Sequence, residues 1–236
     1  MTAPDKTPHR IAGMFDAIAP RYDFLNHALS LGLDRRWRQR AVDALELPAG
    51  ARVLDLCAGT ADVAMAIARS SRGASVIGVD FSEVMLQRGL AKVRKALLER
   101  SISLVRGDAA CIPLARGACD AAAVAFGIRN VAAPDLALSE LARVLRPGAR
   151  LVILEFGQPR IPGIRTLYGW YFRYLLPLIG RLVSRHGSAY SYLPASVGVF
   201  PPPEEFARQI ASHGFRKVQA VSLTMGIVYL YVAERN

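Results

Sequence analysis

The sequence predicts an α/β fold of the Rossmann-like, doubly wound kind. It is a mostly parallel, seven-stranded sheet with helices on both faces, preceded by N-terminal helices and carrying a helical insertion after the fifth strand. Three observations predict it. From residue 52 to residue 155, short apolar runs alternate with stretches of helical periodicity, the pattern of repeated strand–helix–strand units. The first run, Val53-Leu-Asp-Leu-Cys57, enters a turn of small residues and then a helical stretch. Finally, 52% of the 236 residues are hydrophobic and 21% are charged, which supplies the core of one large domain and lies far from a disordered composition.

Residues 11–47 place Phe15, Ile18, Tyr22, Leu25, Leu29 and Leu33 at helical spacing, ahead of the charged stretch Asp34-Arg-Arg-Trp-Arg-Gln-Arg40. This reads as two helices. A strand over 52–57 and a helix over 61–70 follow, then a strand over 75–80 and a helix capped by Ser82. Further strands are expected over 102–105, 120–126 and 151–155, with a helix over 134–146. Pro134 and Asp135 open that helix, and Arg143 and Arg146 close it before Pro147-Gly148, which suits the two ends of a helix dipole. Another helix begins after Pro201-Pro-Pro203, and strands over 215–221 and 227–232 end the chain. The expected organisation is a single domain over 1–236. Within it lie a helical cap (10–47), a ligand-binding core (48–156), an insertion (157–203), and a closing helix and strands (204–236).

The insertion has a composition of its own. Between Phe156 and Pro203 stand five Arg, no Asp or Glu, and nine of the chain's 19 aromatic residues. Tyr168, Trp170, Tyr171, Phe172 and Tyr174 lie beside Arg165, Arg173, Arg181 and Arg185, as on surfaces that meet an anionic membrane interface. The other reading is a lid helix that packs its aromatics inward. The longest apolar run there, Tyr174 to Gly180, is far short of the roughly 20 residues a spanning helix requires. Three cysteines, Cys57, Cys111 and Cys119, fit neither a disulfide framework nor a zinc site. With no apolar core of signal-peptide length in the first fourteen residues, a cytoplasmic protein without a metal is expected.

The cofactor signal is Val53-Leu-Asp-Leu-Cys-Ala-Gly-Thr-Ala-Asp62. Asp55 lies near the strand's end, Gly59 and Thr60 in the turn, and Asp62 at the start of the helix. A dinucleotide fingerprint would want glycines at 57, 59 and 62, where the chain has Cys57, Gly59 and Asp62. A carboxylate at a helix N-terminus repels a pyrophosphate but suits a ligand bearing an ammonium and a sulfonium, and S-adenosylmethionine is such a ligand. Asp80 ends the second strand, where its carboxylate can accept hydrogen bonds from both ribose hydroxyls. Asp108, after the third strand, can meet the adenine edge.

Together with Met14-Phe-Asp-Ala-Ile-Ala-Pro-Arg-Tyr-Asp-Phe-Leu-Asn26, Arg36-Trp-Arg38, Ala125-Phe-Gly-Ile-Arg-Asn-Val131, Leu154-Glu-Phe156 and Tyr190-Ser-Tyr-Leu193, these residues are carried over nearly the whole chain in a recognisable pattern. The sequence resembles the ubiquinone and menaquinone biosynthesis C-methyltransferases, within the class I S-adenosylmethionine-dependent methyltransferases. The resemblance implies that Thr60, Asp80, Asp108 and Ala109 contact the cofactor. The chain departs from the class pattern at Cys57 and Ala61, where glycine is usual, and from many family members at Ala125, where serine is usual.

The resemblance also implies a polyprenylated quinol as substrate, demethylmenaquinol being favoured over a benzoquinol. Methylating its ring carbon requires a phenolate, although a phenol ordinarily titrates near pKa 10. Arg129 is the expected cation for that phenolate, and Asn130 the group that orients the ring or a water acting as base. Tyr22, His27 and Tyr190 are further substrate-site candidates. The net charge of +11 also suits a nucleic-acid backbone. Against a nucleic-acid methyltransferase, the residues after the fourth strand are Phe126-Gly-Ile-Arg129 rather than an Asn/Asp-Pro-Pro-aromatic stretch, and Cys111-Ile-Pro113 is not a Pro-Cys nucleophile. A non-enzymatic scaffold subunit is disfavoured by intact Asp80, Arg129 and Asn130.

Overall fold

A computed structural model describes residues 5–171, 174 and 188–236, with the side chains of 188–191 left aside. The strands are β1 (Arg52–Leu56), β2 (Ser75–Asp80), β3 (Ile102–Arg106), β4 (Cys119–Ala125), β5 (Leu145–Phe156), β6 (Phe215–Leu223) and β7 (Val228–Arg235). They form one seven-stranded sheet in the order β3-β2-β1-β4-β5-β7-β6. β1 to β5 pair in parallel, and β7 runs antiparallel to both β5 and β6.

Helices cover both faces, so the inner strands are mostly apolar on both sides. Side chains alternate across the sheet with period two. Leu54, Leu56, Ala122, Val124, Leu151 and Ile153 join one core with Leu138, Leu141 and Phe206. Val53, Ala121, Ala123, Val152 and Leu154 join the other with Trp37, Val63 and Ile67. Four of the seven residues of β4 are alanine. The strand order reverses between β1 and β4. The crevice outside their carboxyl ends is therefore where an open α/β sheet receives a ligand.

The N-terminal region folds as three α-helices instead of the two expected: α1 (Pro8–Ile18), α2 (Tyr22–Leu29) and α3 (Leu33–Ala44). Pro20 lies in a 3₁₀ turn, Ala19–Arg21, that separates the first pair. A left-handed turn at Leu31 (φ 52°) and Gly32 (φ 78°) separates the second. Helices α4 (Asp62–Ser70), α5 (Glu83–Lys95) and α6 (Pro134–Val144) flank the parallel strands. Ser82 caps α5 by accepting a hydrogen bond from the Met85 amide at 3.1 Å. α6 ends two residues before the expected Arg146, because Leu145 already pairs with Cys119 as the first residue of β5. The chain continues through α7 (Pro162–Trp170), α8 (Ser188–Val199) and α9 (Pro203–Ser212). Among the described residues no helix is long and apolar enough to cross a membrane.

Candidate active site

A cavity of about 300 Å³ opens at the carboxyl ends of β1 to β4. Its floor comes from the β1 turn (Cys57, Gly59), the end of β2 (Asp80 to Ser82), the β3 turn (Gly107 to Ala110) and the β4 turn (Ala125 to Gly127, Asn130). Its roof comes from the N-terminal segment, through Lys6, Pro8, Ile11, Ala12, Phe15 and Tyr22. Ser82 fastens that roof by donating its hydroxyl to Asp16.

Asp80 is the best prepared polar group in the cavity. One carboxylate oxygen accepts the Gly59 amide at 2.8 Å and the other accepts the Ser82 amide at 2.8 Å. Each oxygen keeps a second lone pair for a ligand hydroxyl. Burial raises the Asp80 pKa, opposed by those amide hydrogen bonds. Asp108 Oδ1 accepts the Ala110 amide at 2.9 Å, and Ala109 lies beside it on the cavity wall. The Asn130 Nδ2 group donates to the Phe126 carbonyl, while Oδ1 is buried without a hydrogen-bond partner among the described residues. Such a carbonyl is costly to bury unless a ligand or water meets it.

Gly59, Asp80, Asp108, Ala109, Asn130 and Tyr22 thus converge on the cavity. Burial, the largest cause, raises the Tyr22 phenol pKa. Asp55, Thr60 and Asp62 do not line the cavity, and each is engaged by neighbouring groups of the protein. The Asp62 carboxylate bridges Arg38 and Lys92, so its charge is answered by the protein. Thr60 donates its hydroxyl to Asp23 at 2.5 Å, and Lys92 reaches both partners. Through Asp23 and Arg38 the helical cap is fastened to the β1 turn.

Asp55 is 1% exposed and accepts the Ala64 amide at 2.9 Å, holding the start of α4 against β1. Burial pushes its carboxyl up to about 8. An acid whose pKa is raised on folding stabilises the native state fully below its unfolded value of about 3.9, and that contribution is lost as pH rises toward 8. Folding stability should therefore fall by up to about 1.4 kcal/mol per pH unit across this window. Asp55→Asn, which cannot ionise, should flatten the slope in urea unfolding at pH 5 and 7. An equal slope in the two proteins would show that Asp55 is not its source.

His27 does not line the cavity; its Nδ1 lies 3.0 Å from Asp34 Oδ1, and a Cβ at Gly32 would stand 3.1 Å from its Cε1. Tyr190 belongs to α8, but its side chain lies outside the described residues. Arg129 differs most from expectation. It is 6% exposed, and Nη1 donates to Glu155 Oε1 at 2.5 Å and to the Phe126 carbonyl at 2.8 Å. Its guanidinium carbon sits 5.3 Å from the Phe156 ring centre. With Glu155 fully buried beside it, the guanidinium ties the β4 turn to β5 through Nη1, while its Nε is buried without a hydrogen-bond partner among the described residues.

Glu155, Lys6, Arg38 and Lys92 carry no role in the sequence reading. Glu155 lies in the Leu154-Glu-Phe156 motif and Arg38 in Arg36-Trp-Arg38, where it also pairs with Asp34 one helical turn away. Lys6 and Lys92 reach their surroundings only through tertiary packing. No group of three or more metal-ligating side chains occurs among the described residues.

Comparison with known proteins gives the following. The ubiE/COQ5 methyltransferase family matches residues 3–235. The chain is 50% identical over 223 residues to a ubiquinone/menaquinone biosynthesis C-methyltransferase UbiE of Syntrophotalea carbinolica, covering 94% of this chain and 93% of that protein. It is 44% identical over 222 residues to a demethylmenaquinone methyltransferase of Thermus thermophilus, covering 94% and 100%. Among solved structures, the [4+2]-cyclase SpnF superposes with a TM-score of 0.72 at 17% identity, covering 100% of this chain and 97% of that one. A SAM-dependent methyltransferase of Thermotoga maritima superposes with a TM-score of 0.65 at 18% identity, covering 96% and 100%. At such identities the superpositions speak for the fold alone.

Proposed function

This chain belongs to the ubiE/COQ5 methyltransferase family, and from that premise we propose that its cavity brings S-adenosylmethionine and demethylmenaquinol together. The protein is an S-adenosylmethionine-dependent C-methyltransferase of quinone biosynthesis. The naphthoquinol is favoured because full-length relatives in Thermus thermophilus and Bacteroides fragilis are named demethylmenaquinone methyltransferases. Relatives named for both quinones keep the benzoquinol as the second reading.

The observation that carries the cofactor assignment is Asp80, fixed at the cavity by two backbone amides with an acceptor site left on each oxygen. It would take the ribose hydroxyls, with Asp108 and Ala109 beside the adenine. The apolar wall of Ile11, Phe15, Val79, Phe81 and Met85 suits the faces of the adenine ring. When bound, the co-substrate supplies an electrophilic methyl group. Asn130, on the turn after β4, would orient the quinol ring. Holding ring carbon and methyl close and aligned accounts for much of the rate, and the α1 roof keeps water away.

The direct test uses purified protein and S-adenosylmethionine carrying a labelled methyl, offered reduced demethylmenaquinol and the benzoquinol analogue. Label should enter the naphthoquinol ring at least tenfold faster. Equal or faster labelling of the benzoquinol would overturn the specificity, and label in neither would overturn the function.

The polyprenyl tail resides in a bilayer, so the protein would meet an anionic membrane reversibly through the insertion. Ile161, Leu167, Trp170 and Tyr174 are exposed, with Arg165 exposed on the same helix. Arg173, Arg181 and Arg185 lie outside the described residues. Lid-like packing also has support, since Tyr171 donates to the Leu29 carbonyl at 2.9 Å and packs with Leu25 and Leu193. Each Arg near an anionic surface contributes about 1 kcal/mol. Changing Arg165, Arg173 and Arg181 to Gln should weaken co-sedimentation with anionic vesicles about a hundredfold at low salt. Unchanged co-sedimentation would leave the insertion as a packed lid.

A further inference from the structure

Resting on the reading of the protein as a quinol C-methyltransferase, we propose that Lys6 is the group that takes the quinol hydroxyl proton and then holds the ring oxyanion as its ammonium partner. The expected cation, Arg129, pairs with the buried Glu155 through Nη1 and does not line the cavity. Among the described residues that line the cavity, Lys6 alone carries a basic side chain. Its place within the cavity is the substrate end. The adenine end is marked by Asp108 and Ala109 and the ribose by Asp80, whereas Lys6 feels the charges of Arg129, in the turn after β4, and of Glu155, at the end of β5. Asn130, with its unpartnered buried Oδ1, belongs to that same turn. A quinol ring seated there would find one amine and one amide to meet its oxygens.

Other charged groups near Lys6 fit the assignment. Its neighbour Asp5 is occupied by Thr7 and Arg10, and Asp80 and Asp108 are held by backbone amides. Burial, reinforced by the Arg129 charge and opposed by Glu155, lowers the Lys6 pKa, which raises the share of neutral amine able to accept a proton. The step balances. The quinol O–H proton passes to Nζ, and the ring carbon ortho to that oxygen forms a bond to the methyl carbon as the methyl–sulfur bond breaks. S-adenosylhomocysteine departs, the proton on the methylated carbon is lost to water as the ring regains aromaticity, and the Lys6 ammonium returns its proton to the ring oxygen, which restores the neutral amine.

Lys6 arrives with the segment that roofs the cavity, so proton transfer would be available only when α1 is seated. The test compares parent, Lys6→Met and Lys6→Arg in methyl transfer to demethylmenaquinol from pH 6.5 to 9.5, with S-adenosylmethionine affinity measured by calorimetry. Lys6→Met should lower kcat about a hundredfold at pH 7 with cofactor affinity within twofold of the parent. Its rate should climb about tenfold per pH unit as the quinol ionises unaided, narrowing the deficit. Lys6→Arg, which keeps the charge but not the proton acceptor, should fall between the two. A kcat within threefold of the parent at pH 7, a deficit equally deep at pH 9.5, or a parallel loss of cofactor affinity would each overturn the proposal. A parent that binds S-adenosylmethionine yet methylates no quinol would overturn the underlying reading instead.

Discussion

Arg129→Met should lower folding stability by about 3–5 kcal/mol, because it strands the Glu155 carboxylate in a site that is fully buried. For a chain of this size that is a fall of roughly 6–20 °C in Tm. The Glu155 carboxylate also accepts the backbone amides of Arg129 and Phe156, so the damage should spread to the β4 turn that carries Asn130. Arg129→Met combined with Glu155→Leu should regain most of the stability, since replacing a buried pair with apolar groups is often neutral or better. Urea unfolding of the three proteins separates the possibilities. If Arg129→Met loses turnover at parental stability, its charge serves the ligand after all, as the sequence alone suggests.

Gly127→Ala should be of comparable severity. A Cβ at 127 would stand 2.3 Å from the Cys57 Cβ and 2.8 Å from its Sγ, where the turns after β1 and β4 pass each other at the cavity floor. Such an overlap exceeds ordinary overpacking, which costs about 1–3 kcal/mol. Forcing the two turns apart should weaken S-adenosylmethionine binding at least tenfold. Cys57 itself sits at φ +59°, a conformation that suits glycine better than a residue with a side chain. Cys57→Gly should thus be neutral or stabilising. It should also rescue Gly127→Ala, because the two atoms met at 2.3 and 2.8 Å would be gone, while the Cα of residue 57 stands at 3.7 Å. A double variant as impaired as the single one would place the clash elsewhere.

The strands and their acidic ends are legible in the sequence because both are local. An apolar run sets a buried parallel strand, and Asp80 or Asp108 follows directly in the chain. The pairings behind the cavity are not local. Asp62 at a helix start looks like a carboxylate aimed at a ligand until Arg38 and Lys92 arrive from 24 and 30 residues away. The same holds for Arg129, whose partner is 26 residues further on, and for Gly127, whose need to be glycine comes from Cys57. Lys6 has no local signal at all, since one lysine near a chain end says nothing of where it folds.

The boundaries missed are also physical. The 3₁₀ turn at Pro20 and the left-handed turn at Leu31 and Gly32 divide a stretch whose apolar spacing runs on without a break. Asp55 reads as a ligand group by its place in the motif, yet one residue of extra depth in β1 turns it into a support for α4.

Calorimetric titration of S-adenosylmethionine into the parent protein and into Asp80→Ala tests the central assignment most directly. Two hydrogen bonds to the ribose are lost at roughly 1.5–3 kcal/mol each before water compensates. The β1 turn also loses its anchor at the Gly59 amide. The parent should bind, and Asp80→Ala should bind at least a hundredfold more weakly while keeping a cooperative thermal unfolding transition. Equal affinity in the two proteins would remove the ligand from the end of β2 and contradict the placement of the cofactor along this edge of the sheet.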